Sequence, residues 1–223
     1  MKQKLLMIGD NEKAPYHPLR EIEPVIESIL QPEFEVCFSE DYEEILSDYS
    51  RLEQFELVVS YLDRWEEPLN DLQTGNLLRY FSVGKGLVAI HCGISLQARH
   101  EFKHIIGARF IKHPPLAKLE FFAESKKHPI SEGINVFEIE DEPYLFEFDN
   151  FSERELFLHY KNSNKEIFPA GWITYFGPAK IIYLMPGHSC KSFENKIYQQ
   201  LLLQSIRFTI ESKGGDEAKG IEK

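Results

Sequence analysis

The sequence predicts an α/β fold with a mostly parallel sheet and an antiparallel extension, and three observations predict it. Short apolar runs alternate with amphipathic stretches of helix length through the first half of the chain, the pattern of βαβ units. From residue 116 the rhythm changes to strand-like runs separated by turn signals such as His128-Pro129 and Phe176-Gly177-Pro178. Several runs also sit beside Gly or Pro together with His or Glu, and in an open α/β sheet the carboxyl ends of strands line the ligand crevice.

Residues 4–8, ending in Gly9-Asp10, read as a buried first strand. Leu19, Ile22, Val25, Ile26 and Ile29 recur at helical spacing over 18–30, where Pro24 is expected to blunt or kink the helix. Strands follow at 34–38 and 55–62, a helix at 69–81, a buried strand at 87–90 and a helix at 95–106. The extension carries strand-like runs at 119–123, 144–148, 156–160, 172–175 and 181–184. A long helix over 192–210 closes the fold, with Phe193, Ile197, Leu201 and Phe208 on its apolar face. Residues 1–211 are expected to form one domain, and the polar, glycine-rich 212–223 a disordered tail.

The composition narrows the function. With 223 residues, 43% of them hydrophobic, the chain can bury a substantial core. Its net charge of −11 argues against nucleic acid or an anionic membrane surface, which both need clustered cations. The start lacks the apolar run and cleavage site of a secretory leader, and no stretch approaches a membrane span. Three cysteines without CxxC spacing do not make a disulfide framework. The expectation is a cytoplasmic protein, with a homodimer as the default assembly.

Gly86 to Gly93 reads as strand, sharp turn and helix start. Backbone crowding at such an elbow demands small residues two positions to either side of its central residue. Centred on His91 the flanks are Ala89 and Gly93; centred on Cys92 they are the bulky Ile90 and Ile94. His91 therefore takes the elbow, with backbone N–H groups of the next helix facing the same crevice.

Five segments carry a resemblance to a known family. Gly84-x-Gly86-Leu87-Val88-x-x-His91, Ile106-Gly107-x-x-Phe110-x-x-His113-Pro114, His128-Pro129-Ile130-x-x-Gly133, Asp141-Glu142-x-Tyr144 and Gly187-His188 occur in the order seen in ThuA-like (trehalose-utilisation) proteins. The resemblance spans roughly residues 4–210 and implies a flavodoxin-like, or class I glutamine amidotransferase-like, three-layer fold. It also implies a role in carbohydrate utilisation, with a disaccharide or an oxidised sugar as ligand. Amidotransferase chemistry needs a Cys at the elbow and a His-x-Glu pair near the last strand; here stand His91 and His188-Ser189-Cys190. Cys92 and Cys190 read as small fillers.

His91, His113, Glu142 and His188 are the positions that the resemblance carries over, and His17 falls in the loop after the first strand. His91, Glu142 and His188 are the expected catalytic residues, with Glu142 as base and a histidine as acid. The same three are candidate ligands for a divalent metal such as zinc. Glu142 precedes Pro143, which restricts its backbone, whereas Asp141 reads equally well as a solvated acidic turn. His17, His113, Tyr144 and Trp172 are expected to bind substrate, and Phe146 and Tyr175 are further aromatics of the same region. Acid–base or metal-assisted chemistry on a sugar is one expectation; a non-catalytic, sugar-binding regulator or scaffold is the other.

His100-Glu101-Phe102-Lys103-His104 is also a literal HExxH, the zinc-protease signature. The longer pattern fails because Phe110 stands where a third ligand belongs, and His113 arrives three residues late. The expected reading is a solvent-facing helix with Ala98, Phe102, Ile105 and Ile106 inward.

Overall fold

The computed structural model describes residues 2–125 and 127–211, so the expected tail at 212–223 lies outside the described residues. In chain order the elements are β1 (Gln3–Gly9), α1 (Leu19–Leu30), β2 (Phe34–Ser39), α2 (Tyr42–Ser47), α3 (Tyr49–Leu52), β3 (Leu57–Tyr61), α4 (Asp71–Ser82) and β4 (Gly86–Ile90). A 3-10 segment, His91–Ala98, leads to α5 (His100–Ile106) and β5 (Ala108–Lys112). Then come β6 (Ala117–Ala123), β7 (Phe137–Asp141), β8 (Leu145–Phe148), β9 (Glu155–Lys161), β10 (Ile167–Phe176), β11 (Ala179–Leu184), α6 (Cys190–Glu194) and α7 (Lys196–Ile210).

Nine strands make one sheet in the order β2-β1-β3-β4-β11-β10-β9-β6-β7. The five from β2 to β11 run parallel, and β10, β9, β6 and β7 continue antiparallel. The parallel strands β3, β4 and β11 are buried along their whole length, which is why their sequences are nearly continuous apolar runs without alternation, interrupted by Ser60 in β3 and Lys180 in β11. β7 alternates buried and exposed residues, as a strand with one wet face must. A two-stranded sheet, β5-β8, stands apart from the main one and carries Phe110.

Three local expectations are corrected. The helix expected at 95–106 is two pieces: a 3-10 segment, then α5, with extended backbone at Arg99 between them. The long last helix is broken at Asn195, whose side chain caps the first turn of α7 by accepting from the backbone of Ile197 and Tyr198. Pro24 does not end α1, which continues to Leu30 with its face of Leu19, Ile22, Ile26 and Leu30 held in the core. Among the described residues, no helix is long and apolar enough to cross a membrane.

Candidate active site

The carboxyl ends of β1, β3, β4 and β11 converge, and each delivers one polar residue just beyond its last strand residue or in the loop that follows: His17, Asp63, His91 and His188. The end of β7 supplies Asp141 and Glu142 from the extension. Four of these, His17, His91, Glu142 and His188, place one donor atom each within 4.8 Å of one another.

His91 occupies the elbow. Its φ is +48°, a left-handed conformation uncommon outside glycine, and its side chain is fully buried. The turn is possible because a Cβ on Gly93 would stand 2.1 Å from the Ser60 carbonyl, so only glycine fits two residues on. His91 Nδ1 lies 2.7 Å from the Met185 carbonyl, an acceptor only, so Nδ1 carries the hydrogen. Its Nε2 faces Glu142 Oε2 at 3.2 Å, while Tyr144 packs on the ring at 4.3 Å between centroids. Complete burial lowers the His91 pKa and overrides the pull of Glu142.

His17 is held the same way. Nδ1 bonds Asp63 Oδ2 at 3.1 Å, leaving Nε2 turned inward, 3.1 Å from His188 Nδ1 and 3.7 Å from Glu142 Oε2. Burial opposes its charge, but the bonds to Asp63 and Glu142 outweigh it and raise the pKa to about 9. His188 Nδ1 is 3.4 Å from the same Glu142 oxygen. Burial alone would raise Glu142; the imidazoles of His17, His188 and His91 around it prevail and hold it far below the usual carboxylate range.

Asp141 is not a solvated turn. It is fully buried, and its Oδ2 accepts from the Gly187 N–H at 2.8 Å, the His188 N–H at 3.4 Å and the Ser192 hydroxyl at 2.7 Å. Its other oxygen accepts from the Glu142 N–H at 2.9 Å. One carboxylate thus fixes both the Gly187-His188 turn and the start of Glu142.

A cavity of about 1020 Å³ opens over this cluster. His17, His113, Glu142 and Tyr144 line it, and His113 Nδ1 sits 2.9 Å from the Pro114 carbonyl and 3.8 Å from Glu142. Trp172, expected to face ligand, is corrected: it is fully buried, its indole N–H donated to the Ile106 carbonyl. Phe146 packs edge-on against it, and neither Phe146 nor Tyr175 lines the cavity. The aromatic wall is instead Trp65 and Phe110, 4.9 Å apart, with Tyr16 and Tyr144. Asp63 and Trp65 escaped the sequence reading although both follow β3, whose carboxyl end marks the crevice; the indole N–H of Trp65 donates to Asp63 at 2.5 Å.

Cys92 is buried, its thiol directed at the Tyr61 carbonyl at 3.3 Å, and burial pushes its pKa well up. The HExxH glutamate is committed elsewhere: Glu101 forms a two-pronged pair with Arg99 at 2.8 and 2.9 Å. Phe102, Ile105 and Ile106 turn inward.

Comparison with known proteins agrees with this frame. A ThuA-like protein from Bacteroides uniformis superposes with a TM-score of 0.77 at 16% identity, covering 96% of this chain and 94% of that one. A second, from Parabacteroides merdae, gives 0.77 at 18% identity over 96% and 93%. A glutamine amidotransferase from Thermotoga maritima gives 0.58 at 12% identity over 95% and 100%, so the fold is shared with that class. No curated protein matches the sequence. The family model described as ThuA, trehalose utilisation, matches residues 4–209, and the chain belongs to that family.

Proposed function

We propose that the protein is a cytoplasmic enzyme performing metal-assisted acid–base chemistry on a sugar, a disaccharide or an oxidised sugar derivative. The observation that carries the reading is the pairing of His91 with Glu142. His91 Nδ1 is spent on the Met185 carbonyl, and burial keeps the ring neutral, so Nε2 presents a lone pair. A lone pair 3.2 Å from a carboxylate oxygen is two acceptors facing each other, which needs a cation beside them: the His17 proton in the metal-free chain, and the ion that takes its place.

The donor set suits a borderline divalent ion such as zinc: three imidazoles and one carboxylate. Two imidazoles have the outer partner that such ligands require, Asp63 for His17 and the Met185 carbonyl for His91. Bound there, the ion would polarise a sugar oxygen or lower the pKa of water.

The proton work falls to His113. Its Nδ1 is anchored on Pro114, and its Nε2 makes no hydrogen bond among the described residues. With its side chain 37% exposed, it can exchange protons with bulk water between turnovers. Trp65 and Phe110 supply flat faces for the apolar side of a sugar ring, while Lys13 and Arg64 stand among the residues of the rim. Glutamine hydrolysis is not part of the proposal, because the elbow carries an imidazole and the adjacent thiol is sealed in the core.

The test is elemental analysis of chelator-free protein, followed by incubation with disaccharides and their oxidised derivatives. Near-stoichiometric metal lost in His17→Ala and His188→Ala, with product formation lost in His113→Ala, supports the proposal. A sugar that raises Tm yet returns unaltered after long incubation with metal-replete protein would instead make the site a sensor.

A further inference from the structure

We propose that His100 and His104 form a second metal site, a two-imidazole chelate for a borderline divalent transition ion, separate from the cluster around Glu142. The two residues stand at i and i+4 on α5 and therefore share one face of the helix. Their Nε2 atoms are 3.2 Å apart. With metal–nitrogen bonds of roughly 2.05 Å, that separation corresponds to a ligand–metal–ligand angle of about 100°, within the range of tetrahedral sites.

His104 is already set in the ligating tautomer. Its Nδ1 lies 2.7 Å from Asp149 Oδ2, and Asp149 is itself buried, fixed by the Ser152 hydroxyl at 2.8 Å and the Phe151 N–H at 3.3 Å. A carboxylate behind one ring nitrogen is the arrangement that orients imidazoles toward metals. The hydrogen is thus on Nδ1, and the Nε2 lone pair meets His100. In the metal-free chain the gap is closed by the hydrogen on His100 Nε2. On binding, His100 shifts that hydrogen to Nδ1, and both Nε2 atoms turn to the ion.

Glu101, the residue that would activate water in a zinc protease, is held by Arg99 and does not share the site. The inference is therefore a binding site and not a peptidase. Two neutral nitrogens with the remaining positions open to water select Cu²⁺, Ni²⁺ or Zn²⁺ over Mg²⁺ or Ca²⁺. Both ligands lie on α5, and the Asp149 carboxylate behind His104 together with the Ser152 hydroxyl on the His104 carbonyl joins the site to the turn after β8.

The experiment titrates Zn²⁺ into metal-stripped full-length protein by calorimetry, comparing wild type, His100→Ala, His17→Ala and the double variant. Two equivalents in wild type, one in each single variant and none in the double are expected. Asp149→Asn should weaken the second site about tenfold or more. The Tm of His100→Ala in chelator should match wild type, since that side chain is exposed, so its lost equivalent is not lost folding. Equal stoichiometry in wild type and His100→Ala overturns the inference. Failure of the central site reads differently: His17→Ala then binds as much Zn²⁺ as wild type, while His100→Ala still loses one equivalent.

Discussion

Glu142 Oε2 lies 3.2 Å from Nε2 of His91, a ring whose other nitrogen is already given to the Met185 carbonyl. The arrangement makes the charge of Glu142, and not its shape, the decisive property. Glu142→Gln should keep the fold and lower metal affinity by about 100-fold, the upper end of what loss of even an outer-shell partner costs, because a ligating anion is replaced by a neutral amide. Metal content after dialysis, with Tm measured in chelator as the control for folding, checks this. Retained metal in Glu142→Gln would remove the carboxylate from the ligand set.

The pH dependence follows from His17 and Glu142 together. In metal-stripped protein His17 sits at about 9 against an ordinary 6.5. Its contribution to stability is therefore complete below 6.5 and lost as pH rises through about 9. Glu142 is lowered from 4.5, so its contribution is complete above 4.5 and lost as pH falls. The metal-stripped Tm should have a plateau between these limits, and His17→Gln should erase the alkaline decline. Metal replaces the His17 proton, so at neutral pH about one proton should be released per ion bound. Calorimetry in buffers of different ionisation enthalpy counts it, and a count of zero sinks His17 as a ligand.

Much of this site was legible in the sequence because local backbone constraint leaves a signature. Small flanks at Ala89 and Gly93 marked His91, and the structure gives it φ +48°. Asp63 left no such mark: it follows an ordinary buried strand, and its importance comes from a partner 46 residues away. Trp172 misled for the opposite reason. An aromatic in a strand near the crevice can face either side, and β10 is buried along its central run, with the ring packed on Tyr183 at 4.5 Å. The fold was readable where a short apolar run is closed by turn signals or glycine, as in β1, β3 and β4. It was not where a side-chain cap, such as Asn195, divides an apolar stripe that looks continuous.

Gly93 tests the elbow without touching a ligand. A Cβ there meets backbone oxygen and not a flexible side-chain end, so the neighbour cannot yield without moving β3. Gly93→Ala should cost roughly 3 kcal/mol or more, as overpacking against a fixed wall does. Chemical denaturation measures it; a change below about 1 kcal/mol would mean that the turn relaxes freely.

Asp141 links the two halves of the site. Its Oδ2 holds the Gly187 N–H, the His188 N–H and the Ser192 hydroxyl in a fully buried position. Asp141→Ala would strand these donors at a cost of roughly 2–4 kcal/mol and free His188 to swing out. The expected signature is a lower Tm together with weaker metal binding. Ser192→Ala, which removes a single donor, should lower Tm slightly and leave the metal in place.

Trp65 separates substrate recognition from metal binding. The ring lines the cavity against Phe110, and its N–H clamps Asp63, which in turn orients His17. These two jobs can be pulled apart by substitution. Trp65→Phe keeps an aromatic face and loses the clamp, so sugar affinity should hold while metal affinity falls modestly. Trp65→Ala loses both, and KM should rise about tenfold, the worth of one stacking contact of roughly 1.4 kcal/mol. If Trp65→Ala leaves KM unchanged while metal content drops, the ring serves only to position Asp63, and the sugar is held by another wall of the cavity.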